Sequence, residues 1–259
     1  MTSIPFTMKY GWIGLLVWLV STTGVVGQKL TVMTYNIHHG FSQRGGTNLI
    51  QVGRLIRSTG ADLVALQEVD SATASSLGKN QAAQLSYLTG LKAVFGKEAN
   101  AEAGGYGVAI LSKYPIIAQQ LIPLPNPDLT EPRVLLCAYV ELPNKKTVRF
   151  CTTRLDDRSE VGRGVQAATI SALLEPSIQP VIWAGDLNAH PDQKAVEPLL
   201  GRWYDAGRNS DAITFPDLGS RTDYILTQPG GALKLFSYRV IEETNTSYHY
   251  PVVATYQLK

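Results

Sequence analysis

The sequence lacks a strong net charge. Its 23 lysine and arginine residues stand against 21 aspartate and glutamate residues, which leaves a formal charge of +2. A protein that relies on nucleic-acid phosphates for its affinity usually carries a basic patch or stripe. The near-neutral balance therefore argues against that class of protein, although it does not exclude a local basic patch.

The sequence also lacks internal repeats, low-complexity tracts and a linker rich in proline, glycine or serine that would divide it. A chain of 259 residues with 44% hydrophobic content can bury a full core as one or two domains. Helical and strand patterns alternate along most of the length, which favours one α/β unit. We predict a single domain over residues 28–259.

A long apolar run occurs at the N-terminus. Lys9 precedes the stretch Gly11–Val20, and a small residue stands directly before Gln28. This pattern predicts a signal peptide over residues 1–27 that is cleaved on export to a secreted or periplasmic location. The strictly apolar stretch is short for a membrane span of about 20 residues. Counting through Val26 leaves a signal anchor as the alternative.

The two cysteines flank an apparent hairpin formed by Val134–Val140 and Thr147–Thr153. Cys137 and Cys151 are equidistant from Asn144, so a symmetric hairpin would place them opposite each other on one face. A cross-strand disulfide is then compatible with export. Two free thiols packed between strands are the alternative, since free cysteine is often buried.

Hydrophobic periodicity predicts the individual elements, with boundaries uncertain by about 2–4 residues. Gly60 can end a helix over Asn48–Thr59, and Asn80 can cap a helix that continues to Leu88. A third helix is predicted over Arg163–Leu174. The predicted strands outside the hairpin are Leu30–Ile37, Asp62–Gln67, Gly107–Ser112, Val181–Ala184, Arg221–Thr227, Lys234–Ile241 and Val252–Leu258.

Six segments occur in a recognisable order along the chain: Thr34–Ile37, Leu66–Val69, Gly107–Pro115, Trp183–Asn188, Arg221–Leu226 and His249–Pro251. They resemble motifs of the endonuclease/exonuclease/phosphatase superfamily, the DNase-I-like metal-dependent phosphohydrolases, and the chain is similar to a secreted bacterial-type member. The resemblance extends from Leu30 to Leu258. It implies an α/β (α+β) fold, a four-layer α/β/β/α sandwich of two mixed β-sheets flanked by helices, with the site at one edge.

Glu68 is the best candidate for a metal ligand. It follows a buried apolar strand, so its carboxylate should emerge at the strand end, where an oxygen-loving cation can bind. Asn36 also ends an apolar strand and could bind metal-held water or orient Glu68. The resemblance implies Mg²⁺ or Mn²⁺ here. From local sequence alone, a glutamate after a strand is usually a solvated charge, and an asparagine at such a position is more often a turn former.

Asp186 and Asn188 lie two residues apart after a strand, so an extended segment would point both side chains the same way. The resemblance implies that Asp186 orients or deprotonates the attacking water. It implies that Asn188 donates hydrogen bonds to phosphoryl oxygens in the transition state. An Asx turn closed by Pro191 is the alternative.

Asp223 and His249 match an aspartate and a histidine of the superfamily. The aspartate normally orients or polarises a catalytic histidine, and the histidine contacts the scissile phosphate as a donor or a cation. His38, His39 and His190 are weaker candidates. On an extended chain the adjacent pair would face opposite ways, so we expect at most one of them to point at the site.

Two positions depart from the pattern of secreted relatives. Arg154 stands where a histidine is usual, and an arginine with a pKa above about 12 cannot deliver a proton near neutral pH. Arg154 could still stabilise phosphate charge, and Asp223 would pair with Arg154 in place of the missing histidine. Tyr248 stands where an aspartate is usual, which removes an acceptor that would fix the tautomer of His249.

Two hypotheses about function follow. The first is a secreted Mg²⁺-dependent phosphoesterase that hydrolyses phosphodiesters or phosphomonoesters, weakened by the two departures. The second is an inactive relative that binds a phosphate ligand. The substrate is open among nucleic acid, lipid headgroup and small molecule. The choice depends on loops such as Ala99–Tyr106 and Leu121–Arg133, whose sequences do not indicate a substrate. Arg133 lies near the cleft or in an exposed loop. We expect a monomer without an obligate protein partner.

Overall fold

Two six-stranded mixed sheets lie at the centre of the computed structural model, which describes residues 1–2, 28–43, 45–101, 103–175 and 177–258. The predicted signal peptide, apart from its first two residues, lies outside the described residues. Within the described ranges, no helix is both long enough and apolar enough to cross a bilayer.

The first sheet has the strand order β11-β12-β1-β2-β4-β3, and the second has the order β5-β6-β7-β8-β10-β9. The strands are β1 (Lys29–Asn36), β2 (Leu63–Ser71), β3 (Lys92–Ala101), β4 (Gly104–Ser112), β5 (Ile116–Pro123), β6 (Val134–Glu141), β7 (Thr147–Arg154), β8 (Val181–Asp186), β9 (Tyr204–Asp205), β10 (Asp223–Thr227), β11 (Leu233–Val240) and β12 (Val252–Leu258). The α-helices are α1 (Leu49–Thr59), α2 (Gln81–Thr89), α3 (Glu160–Leu174) and α4 (Glu197–Leu200).

Three apolar clusters show how these elements form layers. One cluster lies between the sheets and includes Val32 and Phe150. A second packs α1 and α2 on the outer face of the first sheet through residues such as Ile56. The third packs α3 and α4 on the outer face of the second sheet through residues such as Ile170. The predicted α/β/β/α sandwich is therefore confirmed.

The predicted helix ends agree closely with the observed ones. Asn80 caps α2 by accepting a hydrogen bond from the Ala83 amide at 2.9 Å. Gly60 ends α1 in a left-handed conformation with a φ of 67°, which costs glycine little. Helix α3 begins at Glu160, about a turn earlier than predicted, because the side chain of Ser159 caps its amide end.

Three strands, β3, β5 and β9, were not predicted from the sequence, and all three lie at sheet edges. An edge strand is paired on one side only, so its sequence needs no regular apolar alternation. Strand β5 illustrates this, since most of its residues are exposed. The fourth edge strand, β11, was predicted because its sequence retains recognisable strand character.

Cys137 and Cys151 form a disulfide that joins β6 to β7. The two residues are directly paired in the register of the hairpin, and both are fully buried in the cluster beneath α3. Of the two alternatives that the sequence left open, the structure therefore has the disulfide.

We expect the double substitution Cys137→Ala/Cys151→Ala to lower the free energy of unfolding by about 2–4 kcal/mol, because the bond closes a short loop in the unfolded chain. Urea unfolding of the oxidised protein and the double variant would measure this difference. Wild type treated with a reductant is the matched control and should fall to the same midpoint. An unchanged midpoint in both would contradict the expected contribution.

Candidate active site

Several polar side chains meet at one edge of the two sheets. Asn36 ends β1, Arg154 ends β7 and Asp186 ends β8. In the second sheet, Arg154 and Asp223 are paired in register with Asp186 from its two sides. Strand ends thus place an amide, a guanidinium and two carboxylates in one region.

The carboxylate of Asp186 is the centre of this arrangement. Its side chain is fully buried, and its Oδ2 atom accepts a hydrogen bond from Asn36 Nδ2 at 3.2 Å. The same oxygen lies 3.8 Å from Arg154 Nε and 3.9 Å from His249 Nε2. Burial raises the pKa of Asp186, whereas the charges of His249 and Arg154 partly oppose that shift. A raised pKa makes the carboxylate a stronger base.

The sequence predicted that Glu68 follows the end of its strand, but Glu68 lies within the strand. Strand β2 continues to Ser71, and its register with β4 shifts between Leu66 and Val69. Glu68 lies within this shift with a φ of 53°. A bulge redirects a side chain out of the regular alternation of a strand, which is how Glu68 faces the same edge as Asp186.

Asn36 and Arg154 both contact the Oε1 atom of Glu68. Asn36 Nδ2 donates to it at 2.8 Å, and Arg154 Nε lies 3.1 Å away. Burial would raise the pKa of Glu68, but the hydrogen bond from His38, the charge of Arg154 and the bond from Asn36 outweigh it and hold this pKa far below its usual range. Glu68 is therefore ionised at any physiological pH.

Both His38 and His39 point at Glu68, so the expectation that at most one would do so was wrong. His38 Nδ1 lies 3.4 Å and His39 Nε2 lies 3.5 Å from Glu68 Oε2. The two residues have φ values of 47° and 55° in a tight turn, and that turn cancels the alternation of an extended chain. The other nitrogen of His39 lies 2.7 Å from Asp70 Oδ1.

Asp223 pairs with His249, and the predicted pair with Arg154 was wrong. His249 Nδ1 lies 2.9 Å from Asp223 Oδ2. Strand β8 separates Asp223 from Arg154, and two strand spacings amount to roughly 9–10 Å. Asp223 thus provides the acceptor for His249 that Tyr248, in place of the usual aspartate, was expected to remove.

The pair with Asp223 also changes the charge of His249. Burial lowers the pKa of the ring, but the carboxylates of Asp223 and Asp186 outweigh burial and raise it to about 9. Phe215 stacks on the imidazole with ring centroids 4.4 Å apart and planes inclined by 4°. At neutral pH the ring is an oriented cation. Phe215 was missed because a lone aromatic residue before a proline has no distinctive sequence signal.

Asn188 adopts a left-handed conformation with a φ of 48° and not the extended one. Its backbone amide donates to Asp186 Oδ1 at 2.9 Å, which is the Asx-turn alternative. The side-chain amide donates to the Leu155 carbonyl at 2.8 Å. An amide nitrogen carries two donors, so one N–H of Asn188 is left for an anion in the cleft that it lines.

Arg154 belongs to a closed ring of charges that the sequence did not predict. It contacts Glu131 at 3.7 Å and Asp157 at 3.3 Å. Arg133 contacts the same two carboxylates at 3.0 and 3.1 Å and also lies 3.6 Å from Glu98. The side chain of Arg133 is fully buried, so this residue is neither exposed nor a surface arginine of the loop.

A cleft of about 490 Å³ opens above these groups. Tyr248 lines it, and its ring lies edge-on to His38 at a centroid distance of 4.6 Å. His190 lies elsewhere, half exposed and paired with Asp192. The lining residues are His38, Glu68, Arg154, Asp157, Asn188, Phe215, Leu218, Thr222, Tyr248 and His249.

Two groups of side chains have the chemistry of metal ligands. Asp186, Asp223 and His249 are buried and have donor atoms within 4.8 Å of one another, so this cluster could hold a metal ion. Glu68 is the second candidate, because it is ionised and lines the open cleft. Its Oε2 atom faces His38 and His39, whose nitrogens are also ligand atoms for divalent ions.

The sandwich with its site at one sheet edge defines a DNase-I-like fold. The chain belongs to the endonuclease/exonuclease/phosphatase family, whose model matches residues 33–249. Members of this family are hydrolases of phosphoesters and are generally dependent on a divalent metal.

Solved structures support the same fold. A family protein from Beutenbergia cavernae DSM 12333 has 22% identity and a TM-score of 0.76, covering 89% of this chain and 72% of its own. The mannosyl-6-phosphatase of Bacteroides thetaiotaomicron VPI-5482 has 17% identity and a TM-score of 0.72, with coverages of 87% and 98%. The human nocturnin catalytic domain, with a bound sulfate, has 18% identity, a TM-score of 0.70 and coverages of 89% and 95%.

Proposed function

We propose that this protein is an exported, Mg²⁺- or Mn²⁺-dependent phosphoesterase. The observation that carries the proposal is the environment of one buried oxygen, Asp186 Oδ2, within 3.9 Å of donors from Asn36, Arg154 and His249. A carboxylate of raised pKa beside two cations suits the acceptance of a proton from water next to a negatively charged phosphoryl group.

Each group then has a stated role. Glu68, with His38 as a neighbouring nitrogen ligand, would hold the divalent cation, which supplies Lewis-acid polarisation of a phosphoryl oxygen. Asp186 accepts a proton from the attacking water. Arg154 and the protonated ring of His249 offset the charge that develops on the phosphoryl oxygens, and the free N–H of Asn188 adds a neutral donor.

Export is part of the proposal and has two supports. The N-terminal pattern is typical of a signal peptide. The disulfide between Cys137 and Cys151 is of a kind that persists in secreted and periplasmic proteins and is rare in the cytosol. The similarity to a mannosyl-6-phosphatase and to a sulfate-bound nocturnin domain also favours a site for a tetrahedral anion.

The decisive experiment is turnover of phosphomonoesters and phosphodiesters by the purified protein with Mg²⁺ or Mn²⁺, compared with the same assay after chelation. Metal-dependent release of product would support the phosphoesterase. Binding of inorganic phosphate without turnover of any substrate would favour the alternative, a module that binds a phosphate ligand.

We expect Glu68→Gln to weaken Mn²⁺ binding by at least about 10-fold, since it removes the charge of the proposed ligand. Isothermal titration calorimetry of the two proteins would measure this change. Glu160→Gln is a matched control, because Glu160 is exposed in the first turn of α3 and does not line the cleft. Equal affinity of wild type and Glu68→Gln would reject Glu68 as a metal ligand.

A further inference from the structure

The surroundings of Arg154 restrict how a leaving group can depart from this site. What we infer from them about the substrate rests on the proposed function. Its side chain is 14% exposed, and it contacts Glu68, Glu131 and Asp157 at 3.1, 3.7 and 3.3 Å. Contacts on three sides hold the guanidinium in one place at the cleft wall. The wall at this point is therefore a fixed charge and not a mobile side chain.

The ring with Arg133 strengthens this constraint. Glu131 and Asp157 each lie between the two arginines, and Arg133 contacts them at the shorter distances. When a phosphate engages Arg154, both carboxylates retain a cationic partner. The ring thus allows Arg154 to face an anion without leaving two unpaired carboxylates behind.

Arg154 cannot release a proton during the reaction. Its Nε atom lies 3.1 Å from Glu68 and 3.8 Å from Asp186, two carboxylates that favour the charged form. The guanidinium stays charged throughout, since arginine does not deprotonate in proteins. It can stabilise a negative leaving oxygen but cannot neutralise it.

The other protonated group of the site is already engaged. His249 Nδ1 pairs with Asp223, and its Nε2 faces Asp186 at 3.9 Å. Both ring nitrogens therefore face carboxylates, and the second of these is the carboxylate that receives the proton of water. His38 and Tyr248 also line the cleft, with His38 Nδ1 facing Glu68 and Tyr248 against the His38 ring.

We propose that the cleft hydrolyses phosphoesters whose leaving oxygen departs as an anion, namely phosphoanhydrides and aryl phosphates, with the charge of Arg154 in place of a donated proton. Water oxygen bonds to phosphorus and gives one proton to Asp186. The bond from phosphorus to the leaving oxygen breaks, and its electron pair stays on that oxygen.

Leaving-group acidity decides which substrates can follow this route. A phosphate has a second pKa of about 6, and a phenol like that of tyrosine has a pKa of about 10. An alkoxide is far more basic, close to hydroxide, since water itself has a pKa of about 16. The aromatic and apolar wall formed by Phe215, Leu218 and Tyr248 also suits an aryl or nucleoside group beside the phosphate.

The test is a series of methyl aryl phosphodiesters with phenols of graded acidity, together with a dialkyl diester and a nucleoside diphosphate sugar. We expect log kcat/KM of wild type to fall steeply as the leaving-group pKa rises, with the dialkyl diester the slowest. Arg154→His should flatten this slope and raise the rate of the dialkyl diester by about 10²-fold through a restored proton donor. Arg154→Lys keeps the charge and should keep the slope.

Arg158→His is the matched control, because Arg158 is exposed and does not line the cleft, and it should leave the slope unchanged. A shallow slope in wild type would overturn the inference while leaving a phosphoesterase. A steeper slope in His38→Gln or Tyr248→Phe than in wild type would show that the substituted residue donates a proton to the leaving group. That result would also overturn the inference. No turnover of any substrate would refute the proposed function and this inference with it.

Among the favoured substrates, the same assay separates the two sources of leaving group. Faster hydrolysis of the nucleoside diphosphate sugar than of the aryl diesters would assign the site to phosphoanhydrides. The reverse order would assign it to aryl phosphates, and either order supports an anionic leaving group.

Discussion

Asp186→Asn is expected to lower kcat for metal-dependent phosphoester hydrolysis by about 10³-fold, because it removes the group that accepts the proton of water. The asparagine has nearly the same shape, but its amide cannot act as a base. The substitution also removes one negative charge that faces Arg154 Nε at 3.8 Å and His249 Nε2 at 3.9 Å. Both cations then bind an anion more strongly, so KM should fall while kcat falls.

Steady-state kinetics on one metal-dependent substrate would measure both constants. Asp192→Asn is the matched control, since Asp192 is exposed, pairs with His190 outside the cleft and should leave both constants unchanged. A rise in KM with an unaltered kcat would mean that Asp186 binds substrate and does not accept the proton, which would contradict its proposed role.

Asp223→Asn is expected to shift the loss of activity at high pH to a lower pH than in wild type. The pKa of His249 is about 9 despite burial, because Asp223 and Asp186 stabilise the charged ring. Without the Asp223 charge, the pKa should fall towards about 6.5, the value of an unperturbed histidine. At pH 8 the protonated fraction then drops roughly 30-fold, and the lost orientation of the ring brings the total fall in kcat/KM to about 10²-fold.

The sign of the effect makes the prediction specific. Activity that needs the charged ring persists in wild type until the pH rises through about 9, whereas in Asp223→Asn it should disappear at a lower pH. At pH 6 the protonation of the two proteins is similar, and only the orientation loss remains. Titration of the His249 ring by NMR would measure the pKa directly, with Asp211→Asn at an exposed position as control.

Stability should follow the same titration. A histidine whose pKa is raised in the folded state stabilises the protein fully below its unfolded pKa and loses that contribution as the pH rises through its folded pKa. The His249 contribution in wild type should therefore decline between about 6.5 and about 9. An identical pH dependence of unfolding in Asp223→Asn would contradict the pairing of Asp223 with His249.

The position of Arg154 explains why a departure from the superfamily pattern is compatible with an assembled site. The guanidinium does not disturb the pair of Asp223 and His249, because β8 separates them. It instead contacts Glu68 and Asp186, the two carboxylates nearest to the proposed metal and water. The loss of a proton donor is thus accompanied by the gain of a fixed cation.

Local sequence was enough for the elements whose cores are buried. Strands β1, β2 and β8 are runs of apolar residues between turn signals, and α1 has a capping glycine, so each could be recognised from its own residues. The edge strands β3 and β5 were missed, because pairing on one side relaxes the pattern that identifies a strand.

The sequence by itself determined the family resemblance, and that resemblance implied the sandwich fold and marked Asn36, Glu68, Asp186, Asp223 and His249 as candidates, because each lies within a segment that matches the superfamily. The tertiary structure alone decided which groups touch. The bulge at Glu68 and the left-handed turn at His38 and His39 redirect side chains, and the strand order assigns Asp223 to His249. These contacts join residues distant along the chain, and backbone conformations that break the regular alternation leave no periodic signal in sequence.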